Sequence, residues 1–459
     1  MKKGDKISVR IEKLAYGGKG IVRVDNQVIF VDDALPGDLA EIRIQKKKTN
    51  FLQGRVVRII EKSPLRKNAS CSHFGHCGGC KWQNLAYEEQ LKIKQKQVIE
   101  SLEHLADINP EHVYPTLPSP LTFHYRNKME FSFTDHRWLL AEELSNPARK
   151  KDFALGLHVP GSFDRVMHID FCWLQDEMMN SILKSSQLYF RESGLPVFNL
   201  KSHQGLIRFL VLRKSFQFEE YMINIVTFRE AKKELQEYSQ KMQDAFPKVV
   251  SIVNTVNPRV AQIAFGEEEF LLYGKPTIRE RIGQYEFDIS ANSFFQTNPL
   301  QAENLYHRVV SQVGGENKLV WDFYAGTGTI AMFLSENNRK IIGFELIESA
   351  VRDAYRNCEQ NGVENCEFVQ GDLRKNVDRF SEKPEVIVCD PPRSGMHADI
   401  VQAILEVEPQ KIVYVSCNPT TMARDVKTLS AKYRVTEVHP FDMFPYTYHI
   451  ESVITLELL

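Results

Sequence analysis

The chain has 459 residues, 43% hydrophobic and 25% charged, with a formal net charge of −1; this excludes a disordered or fibrous protein and predicts two or three domains. The charge is uneven: residues 1–100 carry 20 Lys and Arg against 11 Asp and Glu, and the remainder 38 against 48. A basic front suits a polyanionic partner through counterion release, although an ordinary solvated face has the same composition. No apolar run approaches the length of a membrane helix, and the first residues, Met1-Lys2-Lys3-Gly4-Asp5-Lys6, are not those of a secretory leader, so the expectation is a cytoplasmic protein. Eight cysteines in such a chain argue for metal or thiol chemistry over a disulfide framework.

Residues 4–60 alternate apolar and polar in short runs, Lys6 to Ile11, Gly20 to Val24 and Val28 to Val31. Tyr16-Gly17-Gly18-Lys19-Gly20 and Leu35-Pro36-Gly37-Asp38 break them. Short strands with tight glycine turns predict a small β-barrel, with Lys46-Lys47-Lys48 and Phe51 on a basic loop. From Leu85 to about Leu105 apolar residues recur at helical spacing, an amphipathic helix that packs on a larger domain. The middle mixes strand-like runs (Met129 to Phe133, Ile207 to Arg213, Tyr221 to Thr227) with polar connectors, one of them around Ala141 to Lys151. The Phe123-His124-Tyr125-Arg126-Asn127-Lys128 cluster mixes basic and aromatic side chains, as contacts to single-stranded RNA do, and as cores do too.

From about residue 280 strands alternate with helices. Buried strand candidates are Leu319 to Tyr324, Lys340 to Glu345, Cys366 to Gln370, Val386 to Asp390 and Lys411 to Ser416. This is the pattern of a doubly wound α/β sheet, Rossmann-like, whose ligands bind at the carboxyl ends of the strands. The expected fold class is thus α/β, with the small β-barrel at 1–62, a mixed α+β central domain at 63–280 and the doubly wound catalytic domain at 281–459.

Three strand tips describe one nucleoside site. The run Leu319 to Phe323 enters the turn Tyr324-Ala325-Gly326-Thr327-Gly328-Thr329, whose glycines let a ligand approach the backbone. The next strand ends at Glu345, where a carboxylate can accept both ribose hydroxyls, and the third at Gly371-Asp372, beside an adenine. S-adenosylmethionine fits this arrangement. Gly326-x-Gly328-x-x-Ala331 also matches a dinucleotide fingerprint, which keeps a NAD-dependent oxidoreductase as a rival from another class. Cys389-Asp390-Pro391-Pro392-Arg393 makes a rigid turn that holds the Asp390 carboxylate in the cleft, and a related turn serves amine methylation elsewhere.

Ser416-Cys417-Asn418-Pro419 decides between these chemistries. Asn418 is a helix N-cap and Pro419 suits the first helical position, so Cys417 sits where a strand meets a helix amino terminus, a setting that lowers a thiol's pKa. A thiolate there can add to C6 of uracil and activate C5 towards a methyl donor. Removing the C5 proton then needs a base, for which Glu451 is the candidate and His449 the alternative. A buried structural cysteine is the competing reading for Cys417 and the preferred one for Cys358, Cys366 and Cys389.

On these residues the chain resembles the RNA 5-methyluridine (uracil-C5) methyltransferases, over nearly its whole length. The signatures are Tyr16-Gly17-Gly18-Lys19-Gly20 (resembling a TRAM barrel), Cys77-Gly78-Gly79-Cys80, Asn292-Ser293-Phe294-Phe295-Gln296, Asp390-Pro391-Pro392-Arg393, Ser416-Cys417-Asn418-Pro419 and His449-Ile450-Glu451-Ser452-Val453. The resemblance implies Cys417 as nucleophile, Glu451 as base, and Gln296, Tyr324, Thr329, Glu345, Asp372 and Asp390 around S-adenosylmethionine and uridine; Thr329 stands where many relatives have Asn. By spacing, Cys71, Cys77, Cys80 and Cys172 read only as a four-thiolate site, for zinc or an iron–sulfur cluster. The resemblance implies a [4Fe-4S] cluster, and an RNA partner that is 23S ribosomal RNA, with a tRNA T-loop uridine as the alternative. A non-catalytic iron–sulfur RNA-binding factor is a further reading, under which Cys417 is dispensable.

Overall fold

The structure is a computed structural model that describes residues 1–146, 150–376 and 382–459. Residues 147–149 of the polar Ala141 to Lys151 connector lie outside the described residues. The chain separates into two compact units: residues 1–69, 81–120 and 301–459 form the first, and 70–80 with 121–300 the second.

In the first unit a six-stranded sheet runs in the order Lys6–Arg10, Leu39–Lys47, Phe51–Glu61, Gln27–Asp32, Gly20–Val24, Lys13–Leu14. Alternation puts Val9, Val22, Ile29, Val31, Ala40, Ile42, Ile44 and Leu52 inside and charged residues outside, which is what a period of two does on a one-sided sheet. The turn at Leu35–Asp38 is fixed by the Asp38 side chain. It is fully buried, accepts hydrogen bonds from the Leu35 and Ser63 amides at 2.7 and 3.0 Å, and pairs with both Nε and Nη2 of Arg66 at 2.7 and 2.6 Å.

The same unit contains the doubly wound sheet. Its strand order is Cys366–Gln370, Lys340–Glu345, Leu319–Phe323, Val386–Cys389, Lys411–Ser416, Glu451–Leu458, Tyr433–Phe441, His112–Val113. The first five are parallel, and Glu451–Leu458 runs antiparallel to Lys411–Ser416. The order reverses between Leu319–Phe323 and Val386–Cys389, the switch point at which such sheets open a crevice. Trp321, Phe323, Phe344, Tyr414 and Tyr433 anchor its core. Helix Tyr87–Ser101, expected from its periodicity, packs here too, and a short π-helix, Leu102–Ala106, extends it.

The second unit is built on a seven-stranded sheet, Val166–His168, Ala154–His158, Lys128–Thr134, Ile207–Lys214, Tyr221–Thr227, Val249–Val256, Glu268–Gly274. Helices Glu177–Glu192 and Lys232–Ala245 and the hairpin Thr277–Ile282/Tyr285–Ser290 accompany it. The Phe123 to Lys128 cluster is not an open aromatic face. Tyr125 is fully buried, and the His124 and Arg126 amides bond to the carbonyls of Trp173 and Leu174, so the segment packs against the stretch carrying Cys172. Among the described residues no helix is long and apolar enough to cross a membrane.

Burial alone raises the Asp38 carboxyl, but Arg66 and the Ser63 and Leu35 amides outweigh it and hold it below the usual range. Breaking one side of a buried pair costs about 3 kcal/mol or more, so Asp38→Asn should lower the unfolding free energy by about that amount in a urea titration at pH 7. The depressed carboxyl stabilises the fold above the ordinary aspartate range, and that stability is lost as pH falls through the folded value. The gap between variant and wild type should therefore shrink in acid.

Candidate active site

The crevice at the switch point is walled by acids. At the end of Leu319–Phe323 the backbone turns sharply at Tyr324, a non-glycine residue at φ +65°, and the Ala325 amide bonds to the Phe344 carbonyl at 3.0 Å. The two glycines of the turn have different tasks. A Cβ on Gly328 would lie 2.8 Å from the Phe368 ring and 3.0 Å from Ala354, so the backbone here is pressed against the neighbouring strand and helix. Gly326, at φ +56°, has nothing within 4 Å of its Cβ position, which leaves its backbone open to a ligand. The Glu345 carboxylate spans the turn, accepting from the Gly326 amide at 3.0 Å through one oxygen and from the Ile347 amide at 2.8 Å through the other. Each oxygen retains a lone pair for a ribose hydroxyl. Thr329 opens helix Thr329–Ser335 with its hydroxyl 3.4 Å from that of Thr327.

Asp390 follows Val386–Cys389, and its amide bonds to the Phe323 carbonyl at 3.3 Å. Burial lifts its carboxyl to about 7. Asp322, the acid that precedes the glycine turn, is fully buried. Burial, with Asp390 and Glu345 nearby, lifts it well above the usual range. Asp372 is turned to its neighbour, accepting from the Arg374 amide at 3.1 Å and Nε at 2.9 Å.

The nucleophile candidate sits where its neighbours predict. Asn418 caps helix Pro419–Leu429, its side chain accepting from the Thr420 amide at 3.1 Å, and Pro419 occupies the first turn. The Asn418 side-chain amide and the Thr421 hydroxyl both donate to the Arg393 carbonyl, at 3.0 and 3.2 Å, tying the helix start to the Asp390-Pro391-Pro392-Arg393 turn. The antiparallel ladder closes at Ser416 opposite Ser452. Cys417 follows Ser416 and Glu451 precedes Ser452, so both lie at the same end of this strand pair, and Glu451 acts electrostatically on Cys417. Glu451 is buried, and its carboxyl is pushed well above the usual range by burial and by Asp390, with Arg393 opposing.

One expectation is overturned. The Cys417 thiol is not lowered but pushed up to about 12, by burial first and then by Glu451 and Asp390, which outweigh Arg393 and a backbone hydrogen bond. The main reason is loss of water around the thiol, to which the two carboxyls of the cleft add.

Two further residues complete the cluster. The Tyr16 hydroxyl donates to the Cys417 carbonyl at 3.3 Å, and its own pKa is lifted to about 12 by burial and Cys417. Arg393 acts on Cys417 and Glu451 alike, with an Nη2 atom 3.5 Å from His449 Nδ1. Both residues lie in motifs that drew attention in the sequence, but nothing local marked them as neighbours of a thiol.

The second unit holds the remaining candidates. Gln296 follows the strand Tyr285–Ser290, and its carbonyl accepts from the Asn127 side chain at 3.0 Å. Cys172 is buried and clamped by Asn180, which accepts from its amide at 2.8 Å and donates to its carbonyl at 3.1 Å. Burial lifts the Cys77 thiol to about 12, with Cys172 and Cys71 adding to the shift, so three of the four cysteines sense one another. All eight cysteines are thiols. Among the described residues no group of three or more Cys, His, Asp or Glu side chains is already set as a metal cage.

Comparison with known proteins agrees with the arrangement. The tRNA (uracil-5-)-methyltransferase family profile matches residues 86–458, and the TRAM domain profile residues 1–57. An RNA methyltransferase of Chlorobaculum tepidum is 42% identical over 99% of this chain and 97% of its own. One of Bacteroides thetaiotaomicron is 39% identical over 97% and 100%. Among solved structures, a Pyrococcus abyssi tRNA (uracil-54, C5)-methyltransferase in complex with S-adenosyl-L-homocysteine superposes with a TM-score of 0.76 at 30% identity, covering 98% of this chain and 100% of that one. Fold, site and likeness together define an S-adenosylmethionine-dependent RNA methyltransferase with an amino-terminal TRAM domain. The chain belongs to the tRNA (uracil-5-)-methyltransferase family.

A thiol held near 12 ionises little at neutral pH. In the RNA-free, cofactor-free chain, iodoacetamide labelling of Cys417, followed by peptide mass spectrometry, should quicken about tenfold per pH unit between pH 7 and 10. A plateau below pH 9 would show that the acids do not hold the thiol up.

Proposed function

We propose that the chain methylates C5 of a uridine in RNA through a covalent adduct on Cys417, with Glu451 as the general base. The observation that carries this reading is that Cys417 and Glu451 lie at the same end of one antiparallel strand pair, with Glu451 and Asp390 acting electrostatically on the thiol. The Cys417 sulfur forms a bond to C6, and the C5=C6 electron pair moves into an enolate over C5, C4 and O4. Because the thiol is held high, its proton must leave as it attacks, and it passes to Asp390, the second carboxyl beside it, which leaves Glu451 free for the later step. S-adenosylmethionine, held by Gln296, Tyr324, Thr329, Glu345, Asp372 and Asp390, would supply an electrophilic methyl group to the activated C5. Glu451 then takes the C5 proton, the electron pair re-forms C5=C6, and the C6–S bond breaks to release the Cys417 thiolate. A buried carboxyl lifted above its usual range is a stronger base for that step. A stacked or paired uridine must be extruded to reach such a crevice.

For the RNA, the basic barrel together with the four-cysteine motif supports 23S ribosomal RNA. A tRNA uridine is the second reading, favoured by the likeness of the whole chain, barrel included, to the Pyrococcus abyssi tRNA enzyme. Cys71, Cys77, Cys80 and Cys172 offer thiols only, a donor set suited to a [4Fe-4S] cluster, and the mutual electrostatic contact of Cys71, Cys77 and Cys172 supports that assignment.

Incubation with labelled S-adenosylmethionine and RNA from a strain lacking the protein should yield 5-methyluridine on nucleoside mass spectrometry, and mapping of the methylated fraction separates 23S from tRNA. No 5-methyluridine in either fraction would sink the proposal. Cys417→Ala should abolish methylation, whereas Glu451→Gln should cut turnover by on the order of 10²–10⁴-fold and accumulate a covalent RNA–protein complex on denaturing gels.

Anaerobic purification should give a brown protein with about four irons and four sulfides per chain. A colourless protein loaded with zinc would refute the cluster.

A further inference from the structure

Helix Tyr87–Ser101 buries an unusual face. Gln90, Lys94, Gln97 and Ser101, all polar, point inward with Val98, where an amphipathic helix normally places apolar side chains. Lys94 is the extreme case. Its side chain is 0% exposed and its ammonium lies 2.6 Å from Asp442, also 0% exposed, and 3.2 Å from the Phe444 carbonyl.

Lys94 and Gln90 both reach one loop. Asp442 also accepts from the Phe444 amide at 3.2 Å, and its own amide bonds to the Leu117 carbonyl at 3.0 Å. Gln90 accepts from the Tyr446 amide at 3.0 Å while its side-chain amide donates to the carbonyls of Trp82 and Leu85. The Tyr446 carbonyl in turn takes the amides of Lys81 and Trp82, at 2.8 and 3.0 Å, and Tyr446 sits at φ +64°. This loop, Asp442 to Ile450, leaves the strand Tyr433–Phe441 and returns as Glu451–Leu458, and Phe441 is the ladder partner of Glu451. Asp442 is thus one residue from the base's own strand partner.

Stability alone does not account for a dry Lys–Asp pair. Desolvating two ions costs several kcal/mol each, and an apolar pair of similar volume is often as stable or more so. What the ion pair adds is direction: one ammonium with three donors fixes both a side chain and a carbonyl of the loop.

We propose that Lys94 and Asp442 are positioning residues for Glu451, holding the Asp442 to Ile450 loop so that the carboxylate is aimed at the C5 proton. The proposal rests on Glu451 being the base. It implies a defect that falls on adduct release first, because Cys417 is joined directly to the Asn418 cap and to this loop only through the Tyr16 ring against Tyr448.

The test uses the full-length double variant Lys94→Met/Asp442→Asn, which leaves no unpaired charge, alongside Glu451→Gln. With RNA carrying 5-fluorouridine, which has no C5 proton to remove, the double variant should form the trapped adduct within about twofold of the wild-type rate. With ordinary RNA its turnover should fall on the order of 10- to 100-fold while a covalent complex builds up. Wild-type turnover, or equal losses in adduct formation and turnover, would overturn the proposal. If the double variant loses its cooperative thermal transition, Gln90→Ala removes the tie to Tyr446 and carries the same expectation and the same refutation. If Glu451→Gln itself turns over without accumulating adduct, the assignment of the base fails; if it accumulates adduct and the loop variant does not, only the positioning role fails.

Discussion

The antiparallel pairing of Glu451–Leu458 with Lys411–Ser416 is the constraint on which the site depends. In a wholly parallel sheet, residues at the same end of adjacent strands arrive with the same chain polarity, and each runs on into its own crossover. Reversing the last strand brings a strand beginning and a strand end to one edge. Glu451, which starts one strand, and Cys417, which follows the end of the other, then lie at the same end of the pair. Cys417 takes its position from a helix cap and Glu451 from a loop.

That placement matters because the crevice is electrostatically adverse. Asp322, Asp390 and Glu451 are buried carboxyls, each lifted by loss of water, and two of them lift the thiol in turn. Arg393 is the cation that opposes both Cys417 and Glu451. Such a site disfavours negative charge on the Cys417 sulfur. It favours whatever brings positive charge or an electrophile into the cleft, which suits a cationic methyl donor and an enolate that must be stabilised only after attack.

Much of this was legible in the chain itself. The five parallel strands were read to within a residue, because buried strands flanked by glycine and proline turns carry an unambiguous pattern. The cap at Asn418-Pro419 followed from local chemistry alone. The sign of the Cys417 shift did not, because it is set by burial in the folded chain and then by Glu451, 34 positions away, and Asp390, 27 away. Tyr16 lay beyond local reading for the same reason, some 400 residues from the carbonyl it meets. Helices Glu177–Glu192 and Lys232–Ala245 escaped notice in the mixed central segment, where polar connectors mask the 3.6-residue period. The expected boundaries at 62/63 and 280/281 followed changes of pattern. The contact units instead group segments by what they touch, placing 81–120 with 301–459 and 70–80 with 121–300.

Helix Tyr87–Ser101 explains why the TRAM domain and the catalytic sheet belong to one unit. At one end of its buried face Gln97 donates to the Leu14 carbonyl at 3.3 Å, and Lys13 pairs with Glu100 at 2.7 Å, so it grips the start of the glycine turn that carries Tyr16. At the other end Lys94 and Gln90 grip the loop that delivers Glu451. Tyr16 then reaches the Cys417 carbonyl, and its ring meets Tyr448 edge-on at 5.9 Å, in the same loop. The TRAM domain and the elements that hold Cys417 and Glu451 thus share one helix as their reference. A displacement of the barrel on that helix would be felt at the Cys417 peptide before it reached the sheet, because the sheet is packed by large aromatics and the Tyr16 contact is a single hydrogen bond.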